Sequence, residues 1–322
     1  MRVSVVVCTY NREQFILKCL DSLLIQSFKN YEIIIVDDGS TDRTQELLRP
    51  YQGGRVIIKR NPENKGLMFS RNLGASLSSG EIIAFTDSDC VTDNFWLEEL
   101  VKPFSDDQVV IVGGRIIDPP AANYWEFASQ DVNFISNTSG TVQAVIGCNM
   151  AVRKNFLMNN KFDEKFKYGA DDLDLCLNCG RQGFKVYYHD KAVVTHFHRN
   201  TFRDVILQQY RYGFTNAYAS IKNQDHKFFI SYALWCILIA ISYWGIKKYR
   251  IPDLRNAFCF FIVLYLASIA ISSAKKQTHS FPNFVKALPG IIIRSTAHSW
   301  GKLSYSFLFL ISVVSRKERR DS

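Results

Sequence analysis

The chain has 322 residues with a formal net charge of +9, and 47% of its residues are hydrophobic. The charge is unevenly divided, since residues 1–200 carry 22 Lys and Arg against 25 Asp and Glu, whereas residues 201–322 carry 17 against 5. A basic, apolar tail is typical of a membrane surface, and no motif for binding nucleic acid accompanies it. The first region is long enough for one domain with a sizeable core.

Strands alternate with helices over the first part of the chain. Runs of β-branched residues predict strands, and apolar residues at helical spacing predict helices. This alternation indicates an α/β fold with a parallel sheet and right-handed crossovers. Two further strands, of unassigned direction, are predicted at Val109–Arg115 and Gln143–Ile146. The earlier strands are Val3–Cys8, Glu32–Val36, Val56–Lys59 and Ile82–Thr86, and the helices lie at about 13–27, from about Thr41, and at Gly66–Leu77.

The fourth predicted strand runs into two carboxylates, Asp87 and Asp89, which flank Ser88. Open α/β sheets bind their ligands at the carboxyl ends of the strands. Mg²⁺ and Mn²⁺ take carboxylates together with substrate phosphate oxygens, so this pair suits an ion that bridges a diphosphate. An ordinary turn is the alternative, because Asp-x-Asp is common in turns.

The turns after the first and second strands, 9–12 and 37–40, lie at the same predicted edge. Asp37 and Asp38 can accept hydrogen bonds from a nucleotide base or from ribose hydroxyls. The alternative is that they turn the chain and cap the following helix, as Asp, Ser and Thr do well. We predict both roles together, because one Asp suffices for a cap and two are present.

Lys65 and Arg71 lie at and just inside the start of the third predicted helix. A cation and a helix N-terminus near the sheet edge favour an anionic phosphate. These two residues are therefore predicted to contact the phosphates of a donor. The alternative is a solvated Lys65 and an Arg71 on the surface.

Small residues surround an amide in the segment 147–151, which follows the strand predicted at Gln143–Ile146. Gly147 and Asn149 are candidates for the acceptor side of a pocket. Tight packing explains the same residues equally well, and the sequence does not decide between the two.

Three acids, Asp171, Asp172 and Asp174, stand at a predicted helix start, where the helix dipole favours negative charge. Asp171 and Asp172 are adjacent and repel one another. Repulsion raises the pKa of one of them, which suits a general base for an alcohol. Capping alone is the alternative.

His196 and His198 fall on one face of a strand predicted at Val193–His198, because side chains alternate along a strand. Two histidines on one face of a chain that also carries Asp-x-Asp make metal ligation a serious alternative to a structural role. Zinc chemistry is less favoured, since the partners would be carboxylates and phosphate.

Two stretches of the tail, 228–246 and 256–274, each hold 19 uncharged residues and are just long enough to span a bilayer. A run within about 295–315 favours an interfacial helix, and the basic end marks the cytoplasmic side. Two spans would place Lys247, Lys248 and Arg250 on the far side of the membrane, against the rule that basic residues stay on the cytoplasmic side. A helical hairpin within one leaflet is therefore one alternative. A soluble protein in which both runs are buried core helices is the other. The predicted domains are 1–222 and the membrane-associated tail, 223–322.

The eight cysteines are dispersed along the chain, and the one Cys-x-x-C, Cys176 and Cys179, is expected to be two neighbours on a helix. Dispersed cysteines fit a reducing compartment. The apolar run Val3–Val7 is too short for a signal peptide. Together with the basic tail, these features predict the cytoplasmic face of the inner membrane.

In combination, these segments resemble inverting family-2 glycosyltransferases of the GT-A fold, an α/β fold with a Rossmann-like mixed sheet. The tail is similar to that of many bacterial members. The motifs cover residues 1 to about 200 in family order, so they are specific jointly although each is weak alone. The resembling segments are Ser4–Arg12, Val36–Asp42, Asn64–Gly66, Ser70–Asn72, Gly80–Asp89, Gly147–Ala151 and Gly169–Leu175.

For the donor, the resemblance implies a nucleotide-diphosphate sugar, with a UDP-sugar as the first expectation. Thr9, Tyr10 and Asp38 would hold the base and ribose, and Asp87 would lie near ribose and metal. The remaining predicted donor-binding residues are Asn11, Arg12, Asp37, Lys65, Arg71 and Ser88.

For the chemistry, the resemblance implies Mg²⁺ or Mn²⁺ bound by Asp89, with His196 as a further ligand and His198 as the alternative. Asp172 would deprotonate the acceptor hydroxyl. The family usually has Glu-Asp where this chain has Asp171 and Asp172, which leaves the base open between the two.

Two other functions compete with a glycosyltransferase. A nucleotidyltransferase acting on sugar phosphates needs a Gly-rich basic loop after the first strand, and residues 9–12 hold no Gly. A catalytically dead membrane scaffold would have lost the Asp-x-Asp or the acidic pair, and both are present. The tail predicts a hydroxyl acceptor linked to a membrane lipid, such as a polyprenyl-diphosphate saccharide in cell-surface polysaccharide assembly.

Overall fold

A computed structural model describes residues 1–129, 138–166, 168–198, 200–223, 293–302 and 304–305. The chain separates into two compact units, one of Met1–Ala122 with Asn133–His198, the other of Asn123–Val132 with Arg199–Ser322. This grouping by contact does not test the domain boundary predicted between residues 222 and 223, which stays a prediction.

The strands of the described residues all belong to the first unit, where they form one mixed sheet. They are β1 (Val3–Thr9), β2 (Tyr31–Asp37), β3 (Val56–Arg60), β4 (Ile82–Asp87), β5 (Cys90–Thr92), β6 (Val109–Ile117), β7 (Gly140–Val142), β8 (Asn149–Arg153) and β9 (Lys185–His196). Their order across the sheet is β3-β2-β1-β4-β8-β6-β9-β5, with β7 beside β9.

Short helices connect the strands, and a long one follows them. They are α1 (Ile16–Leu24), α2 (Thr44–Leu48), α3 (Leu67–Leu77), α4 (Trp96–Val101), α5 (Tyr124–Ser129), α6 (Lys154–Asn159), α7 (Asp171–Arg181) and α8 (Phe202–Lys222). The first two begin later than predicted. Asp42 accepts a hydrogen bond from the backbone N–H of Thr44 and so marks the start of α2.

The parallel arrangement predicted for the first four strands is confirmed. β1 lies parallel to β2 and to β4, and β2 lies parallel to β3. Beyond β4 the sheet is mixed, because β8 is antiparallel to both β4 and β6, whereas β9 is parallel to β6. The carboxyl ends of β1, β2 and β4 therefore lie at one edge.

The strand predicted at Gln143–Ile146 is wrong. Residues 143–146 form no strand, and the strand that pairs with β4 begins only at Asn149. Val145 is nevertheless buried, and a Cβ added to Gly113 would lie 2.3 Å from the Val145 Cβ. This segment is apolar because it packs against β6, and not because it pairs as a strand.

Apolar side chains fill both faces of the central strands, which explains why residues 5–8 of β1 and 33–36 of β2 are hydrophobic runs without polar alternation. α3 packs directly on this sheet, since a Cβ on Gly74 would lie 2.4 Å from Val6 Cγ1. Close packing on rigid strands fixes the position of the side chains at the strand ends.

Glu32 joins three segments near the opposite ends of these strands. Its Oε1 accepts hydrogen bonds from Ser4 Oγ at 2.5 Å and from the backbone N–H of Ser79 at 2.7 Å, and its Oε2 lies 3.2 Å from Arg2 Nη2. Burial acts to raise the pKa of Glu32, but these hydrogen bonds and Arg2 lower it below its usual value. The ionised carboxylate therefore stabilises the folded state.

We expect Glu32→Gln to lower the free energy of unfolding by about 1–3 kcal/mol at neutral pH, because the hydrogen bonds to a charged acceptor are lost. A depressed folded-state pKa gives stability that is present above the unfolded pKa and lost as pH falls through the folded value, so the two proteins should converge in acid. Urea unfolding at neutral and acidic pH measures both effects. Glu81→Gln, at an exposed carboxyl, is the control; an equal loss there would contradict this account.

In the second unit, α8 packs closely against the helical residues 293–302. A Cβ added to Gly213 would lie 1.8 Å from the His298 carbonyl oxygen, and one added to Gly301 would lie 1.9 Å from that of Tyr210. The two helices therefore meet where each has a glycine, and any larger side chain would separate their backbones.

Within the described part of the chain, no helix combines the length and apolar character that crossing a membrane requires. The two predicted spans, 228–246 and 256–274, lie outside the described residues. Of the predicted interfacial helix at about 295–315, residues 295–302 and 304–305 are helical, and the others lie outside the described residues. The membrane-associated tail stays a prediction.

Candidate active site

Three strand ends meet at the carboxyl edge of the first unit's sheet. Thr9 at the end of β1 pairs with Asp37 at the end of β2, and Cys8 pairs with Asp87 at the end of β4. Thr9 Oγ1 and Asp37 Oδ2 are buried without a hydrogen-bond partner among the described residues, although Arg60 Nη1 lies 3.8 Å from that Asp37 oxygen. Such unpaired buried groups are rare, so these two atoms are candidates to bind a ligand.

The turn after β1 is fixed by the turn after β2. Asn11 adopts a left-handed backbone conformation with φ 52°, which Asn tolerates better than most residues. Its N–H donates to Ser40 Oγ at 3.0 Å, and its Oδ1 accepts from the Thr41 N–H at 2.8 Å. The neighbouring Tyr10, also predicted to bind the donor, is 42% exposed at this edge.

Asp38 holds the loop that leads into α3. Its Oδ1 accepts from Asn61 Nδ2 at 2.7 Å and from the Lys65 N–H at 2.9 Å, and its Oδ2 accepts from the Gly66 N–H at 2.8 Å. A carboxylate of the chain thus occupies the helix start where a donor phosphate was predicted. Asp38 therefore supports the start of α3. A cap of α2, the next helix in sequence, was the alternative expected from the sequence. The Lys65 ammonium lies 2.5 Å from Glu63 Oε1.

Asp89, Cys90 and His196 form a group of possible metal ligands, in which one ligand atom of each residue lies within 4.8 Å of the others. The antiparallel pairing of β5 with β9 places Cys90 opposite His196, which brings the Asp-x-Asp turn to the histidine. Asp89 Oδ1 lies 3.5 Å from His196 Nε2, and Asp89 Oδ2 lies 3.5 Å from Arg12 Nε.

His198 is placed differently from His196. β9 ends at His196, so the alternation that predicted both histidines on one strand face does not continue to His198. His198 Nε2 lies 2.5 Å from Asp118 Oδ1, although the two imidazole rings remain neighbours with centroids 4.7 Å apart. Of the two histidines, His196 is the one beside Asp89.

The Asp89 and His196 pair fits a hard divalent cation. A carboxylate oxygen and an imidazole nitrogen 3.5 Å apart can both reach one ion. Burial acts to lower the pKa of His196, but the hydrogen bond with Asp89 raises it to about 10, so the carboxylate already attracts positive charge to this position. Burial keeps the pKa of the Cys90 thiol well above its usual value, which leaves oxygen and nitrogen as the favoured ligand atoms.

Arg71 lies buried between two carboxylates of the site and is 4% exposed. Its Nη2 lies 3.3 Å from Asp87 Oδ1, and its Nη1 donates to Asp171 Oδ2. Burial acts to lower the pKa of Arg71, but these two carboxylates raise it above its usual value. The surface position considered for Arg71 is wrong, and the nitrogens predicted to meet a donor phosphate bind carboxylates.

Asp172 differs from its neighbour Asp171. It is only partly buried, its Oδ2 accepts from the Gly147 N–H at 2.8 Å, and its Oδ1 accepts from the Leu173 N–H at 2.8 Å. Burial, followed by the charge of Asp171, raises the pKa of Asp172 to about 6. A carboxylate with such a pKa suits general-base chemistry, whereas Asp171 is buried and paired with Arg71.

The chain enters α7 through a strained residue. Ala170 has φ 62°, a left-handed conformation that costs a non-glycine residue about 1–2 kcal/mol. Strained backbone conformations cluster at functional sites because the surrounding structure must hold them in place. Here the turn sets where α7 begins and therefore where its first two acids project.

The two residues predicted on the acceptor side have different surroundings. Asn149 is fully buried, its Oδ1 accepts from Trp96 Nε1, and its Nδ2 donates to the carbonyls of Arg115 and Ala192. These hydrogen bonds all lie inside the core and favour the alternative of tight packing, and an acceptor-side role for Asn149 stays a prediction. Gly147 lies in the site itself, through its bond to Asp172.

Sequence reasoning missed two residues of this edge. Asn61, which supports Asp38, directly follows β3, and a polar residue after a parallel strand was the available signal. Cys90 was counted only among dispersed cysteines, and its pairing with His196 comes from strand register that no local pattern encodes. Ser88, predicted to bind the donor, is buried.

A model of the family described as Glycosyl transferase family 2 matches residues 4–166, about half of the chain. The chain belongs to this family. The match includes Asp37, Asp87 and Asp89 and ends before α7. The family-2 resemblance seen in the sequence is thereby confirmed, and the protein is a glycosyltransferase.

Curated relatives of this glycosyltransferase carry glycosyltransferase names. The glucosyl-dolichyl phosphate glucuronosyltransferase of Haloferax volcanii is 29% identical over 264 residues, which are 79% of this chain and 78% of that protein. The pre-mycofactocin glycosyltransferase of Mycobacterium tuberculosis is 28% identical over 217 residues, 63% of this chain and 45% of that protein. Apart from this glucuronosyltransferase, the chain spans less than half the length of the first curated relatives that it matches.

Solved structures support the GT-A fold. Staphylococcus aureus TarS, solved in complex with UDP, superposes with a TM-score of 0.51 at 21% identity, covering 66% of this chain and 64% of that one. GalNAc-T7, solved with UDP, GalNAc and Mn²⁺, gives a TM-score of 0.53 at 18% identity, covering 66% and 48%. At these identities the likeness concerns the fold alone.

We expect Gly147→Ala to slow sugar transfer by about 100-fold, because displacement of a reacting group by about 1 Å can have that effect. A Cβ at this position would lie 2.8 Å from Arg71 Nη1, and the same residue donates its N–H to Asp172. Steady-state kinetics with a saturating donor measures the loss.

The matched control is Gly140→Ala in β7, where an added Cβ meets nothing within 4 Å. Thermal unfolding of both variants separates a local displacement from general destabilisation. Equal transfer rates for the two variants would show that the space beside Arg71 does not matter.

Proposed function

We propose that the protein is a metal-dependent, inverting glycosyltransferase that moves a sugar from a nucleotide-diphosphate sugar to a hydroxyl acceptor. One observation carries the proposal. Acids from the ends of β2 and β4 and from the start of α7 lie at one edge of one sheet, where Arg71 links Asp87 to Asp171 and His196 lies beside Asp89.

On the donor side, Thr9 Oγ1 and Asp37 Oδ2, which have no hydrogen-bond partner among the described residues, can hydrogen-bond a nucleotide base or ribose. The exposed ring of Tyr10 next to them offers a surface for the base. TarS has been solved with UDP and with UDP-GlcNAc, which supports a UDP-sugar as the first donor to test.

Mg²⁺ or Mn²⁺ would be held by Asp89 and His196, with Asp87 two residues from Asp89 on the same strand end. When bound, such an ion supplies positive charge to a leaving diphosphate. Arg12, 3.5 Å from Asp89, adds a fixed positive charge from the chain itself. The Mn²⁺ in the GalNAc-T7 structure supports this choice of ion.

On the acceptor side, Asp172 is the proposed general base. Its carboxylate takes the proton of the acceptor hydroxyl, the oxygen attacks the anomeric carbon, and the nucleoside diphosphate departs from the opposite face, so the configuration inverts. Asp171 is buried and its carboxylate is paired with Arg71, which supports Asp172 over Asp171 in this role.

A lipid-linked acceptor at the cytoplasmic face of a membrane is the remaining part of the proposal. The name of the Haloferax relative, a glucosyl-dolichyl phosphate glucuronosyltransferase, supports a saccharide on a polyprenyl carrier. The net basic charge of residues 201–322 supports attraction to anionic lipid headgroups. Glycan assembly at the cell envelope follows from such an acceptor.

Purified protein incubated with a panel of nucleotide sugars, Mn²⁺ and a membrane lipid extract should release nucleoside diphosphate and add one sugar to a lipid. Chelation of the metal or Asp89→Ala should lower the rate at least about 100-fold, because the leaving group loses its charge stabilisation. Asp106→Ala, at a surface carboxyl, is the control. Pyrophosphate release would indicate a nucleotidyltransferase, and the absence of turnover with every donor would favour a scaffold.

The pH profile tests the base. Because Asp172 must be ionised to accept a proton, kcat/KM should rise with pH up to about 6 and then stay level. Asp172→Asn should lower transfer by about 100-fold or more and leave donor affinity, measured by calorimetry, unchanged. Undiminished transfer by Asp172→Asn would remove the base role from this residue.

A further inference from the structure

Arg71 has surroundings unlike those of a ligand-binding arginine. Its guanidinium carbon lies 5.8 Å from the Phe85 ring centroid and 5.6 Å from that of Phe162, so aromatic rings line its site. The side chain is 5% exposed. A cation held this way contacts solvent very little and relies on its charged partners.

The charged partners of Arg71 come from two different elements. Asp87 ends β4 and belongs to the donor-side motif, whereas Asp171 begins α7 and precedes the proposed base. A guanidinium presents several donors in a fixed plane, so it can bind two carboxylates at a defined separation. Arg71 is thus a rigid bridge of known geometry between β4 and α7.

Gly147 connects this bridge to Asp172. The space where its Cβ would be is occupied by Arg71, with Nη1 at 2.8 Å and Nη2 at 3.0 Å from that position. The N–H of the same residue donates to Asp172 Oδ2. The base carboxylate is therefore held both by its own helix and by a segment packed on Arg71.

The balance of charges around Arg71 also indicates that it holds β4 and α7 together. Asp87, Asp171 and Asp172 place three carboxylates near one another, and the positive charge of Arg71 acts on all three. Without it, the two ends of the site would repel each other, because buried like charges separate or take up protons. Arg71 thus offsets the repulsion that would move α7 away from β4.

We propose that Arg71 is a positioning residue that sets the separation between the donor-side strand end at Asp87 and the general base on α7. It acts through Asp171 and Gly147 and does not contact the donor phosphates. The proposal rests on the proposed function in that Asp172 is the base.

Three variants test this role. Arg71→Lys retains the charge but cannot hold two carboxylates in one plane, and Arg71→Gln removes the charge. Both should lower kcat by about 100-fold, while the Kd for UDP in the presence of Mn²⁺ changes less than threefold. Arg153→Gln is the control, since Arg153 also packs on a phenylalanine ring and bonds backbone carbonyls far along the sheet from this edge. It should lower stability and leave kcat unchanged.

A weakening of UDP binding by tenfold or more with kcat retained, in either Arg71 variant, would overturn the proposal in favour of a phosphate contact. Equal effects of the Arg71 and Arg153 variants on kcat would reduce Arg71 to general structural support. Arg71→Lys keeps the test decisive if Arg71→Gln fails to fold.

A double-mutant cycle isolates the bridge. If Arg71 acts through Asp171, the combination of Arg71→Gln with Asp171→Asn should transfer sugar within about threefold of Arg71→Gln alone. Multiplication of the two single losses would contradict the proposal. The same double-mutant cycle can be measured on the free energy of unfolding in urea, which needs no substrate. Additive losses of stability in that cycle would refute the bridge between Arg71 and Asp171. Absence of transfer activity in the wild type would instead refute the proposed function.

Discussion

Mutual repulsion of acidic side chains is the constraint that organises this site. Two turns and one helix bring acids to a single edge of the sheet, and each of them has a specific partner. Asp38 accepts from backbone N–H groups of the loop before α3, Asp89 lies beside Arg12 and His196, and Arg71 joins Asp87 to Asp171. Removal of any partner would leave a buried or partly buried charge that the fold must expel or protonate.

The partners also divide the acids into two kinds. Asp38 and Asp171 are buried and bond other segments of the chain, whereas Asp172 and Asp89 remain partly exposed. The same division separates the adjacent pair on α7 by surroundings. One of these two identical side chains meets a buried guanidinium and the other a backbone N–H, which supports the proposed choice of Asp172 as the base.

Local patterns predicted what depends on local physics. The continuous apolar runs gave the four parallel strands, because strands buried on both faces cannot alternate. The carboxyl-edge rule then brought Asp37 and Asp87 together, and proximity of Asp89 to His196 agrees with the expected metal-binding pair.

What the patterns missed depends on long-range packing. Val145 belongs to a segment that is apolar because it covers Gly113, which no strand periodicity can reveal. In the sequence Arg71 resembles a surface cation near a helix start, and its partner Asp171 lies a hundred residues later in the chain. Asn149 shows the same limit, since its amide serves the core through Trp96.

The proposed function requires Asp89 and His196 to hold one divalent cation beneath a sugar nucleotide. X-ray diffraction at the manganese absorption edge, from crystals of the protein grown with Mn²⁺ and UDP, tests it most directly. The account predicts an anomalous peak within bonding distance of the Asp89 carboxylate and of His196 Nε2, next to the UDP diphosphate. Bound UDP without such a peak, or with Mn²⁺ away from both side chains, would contradict it.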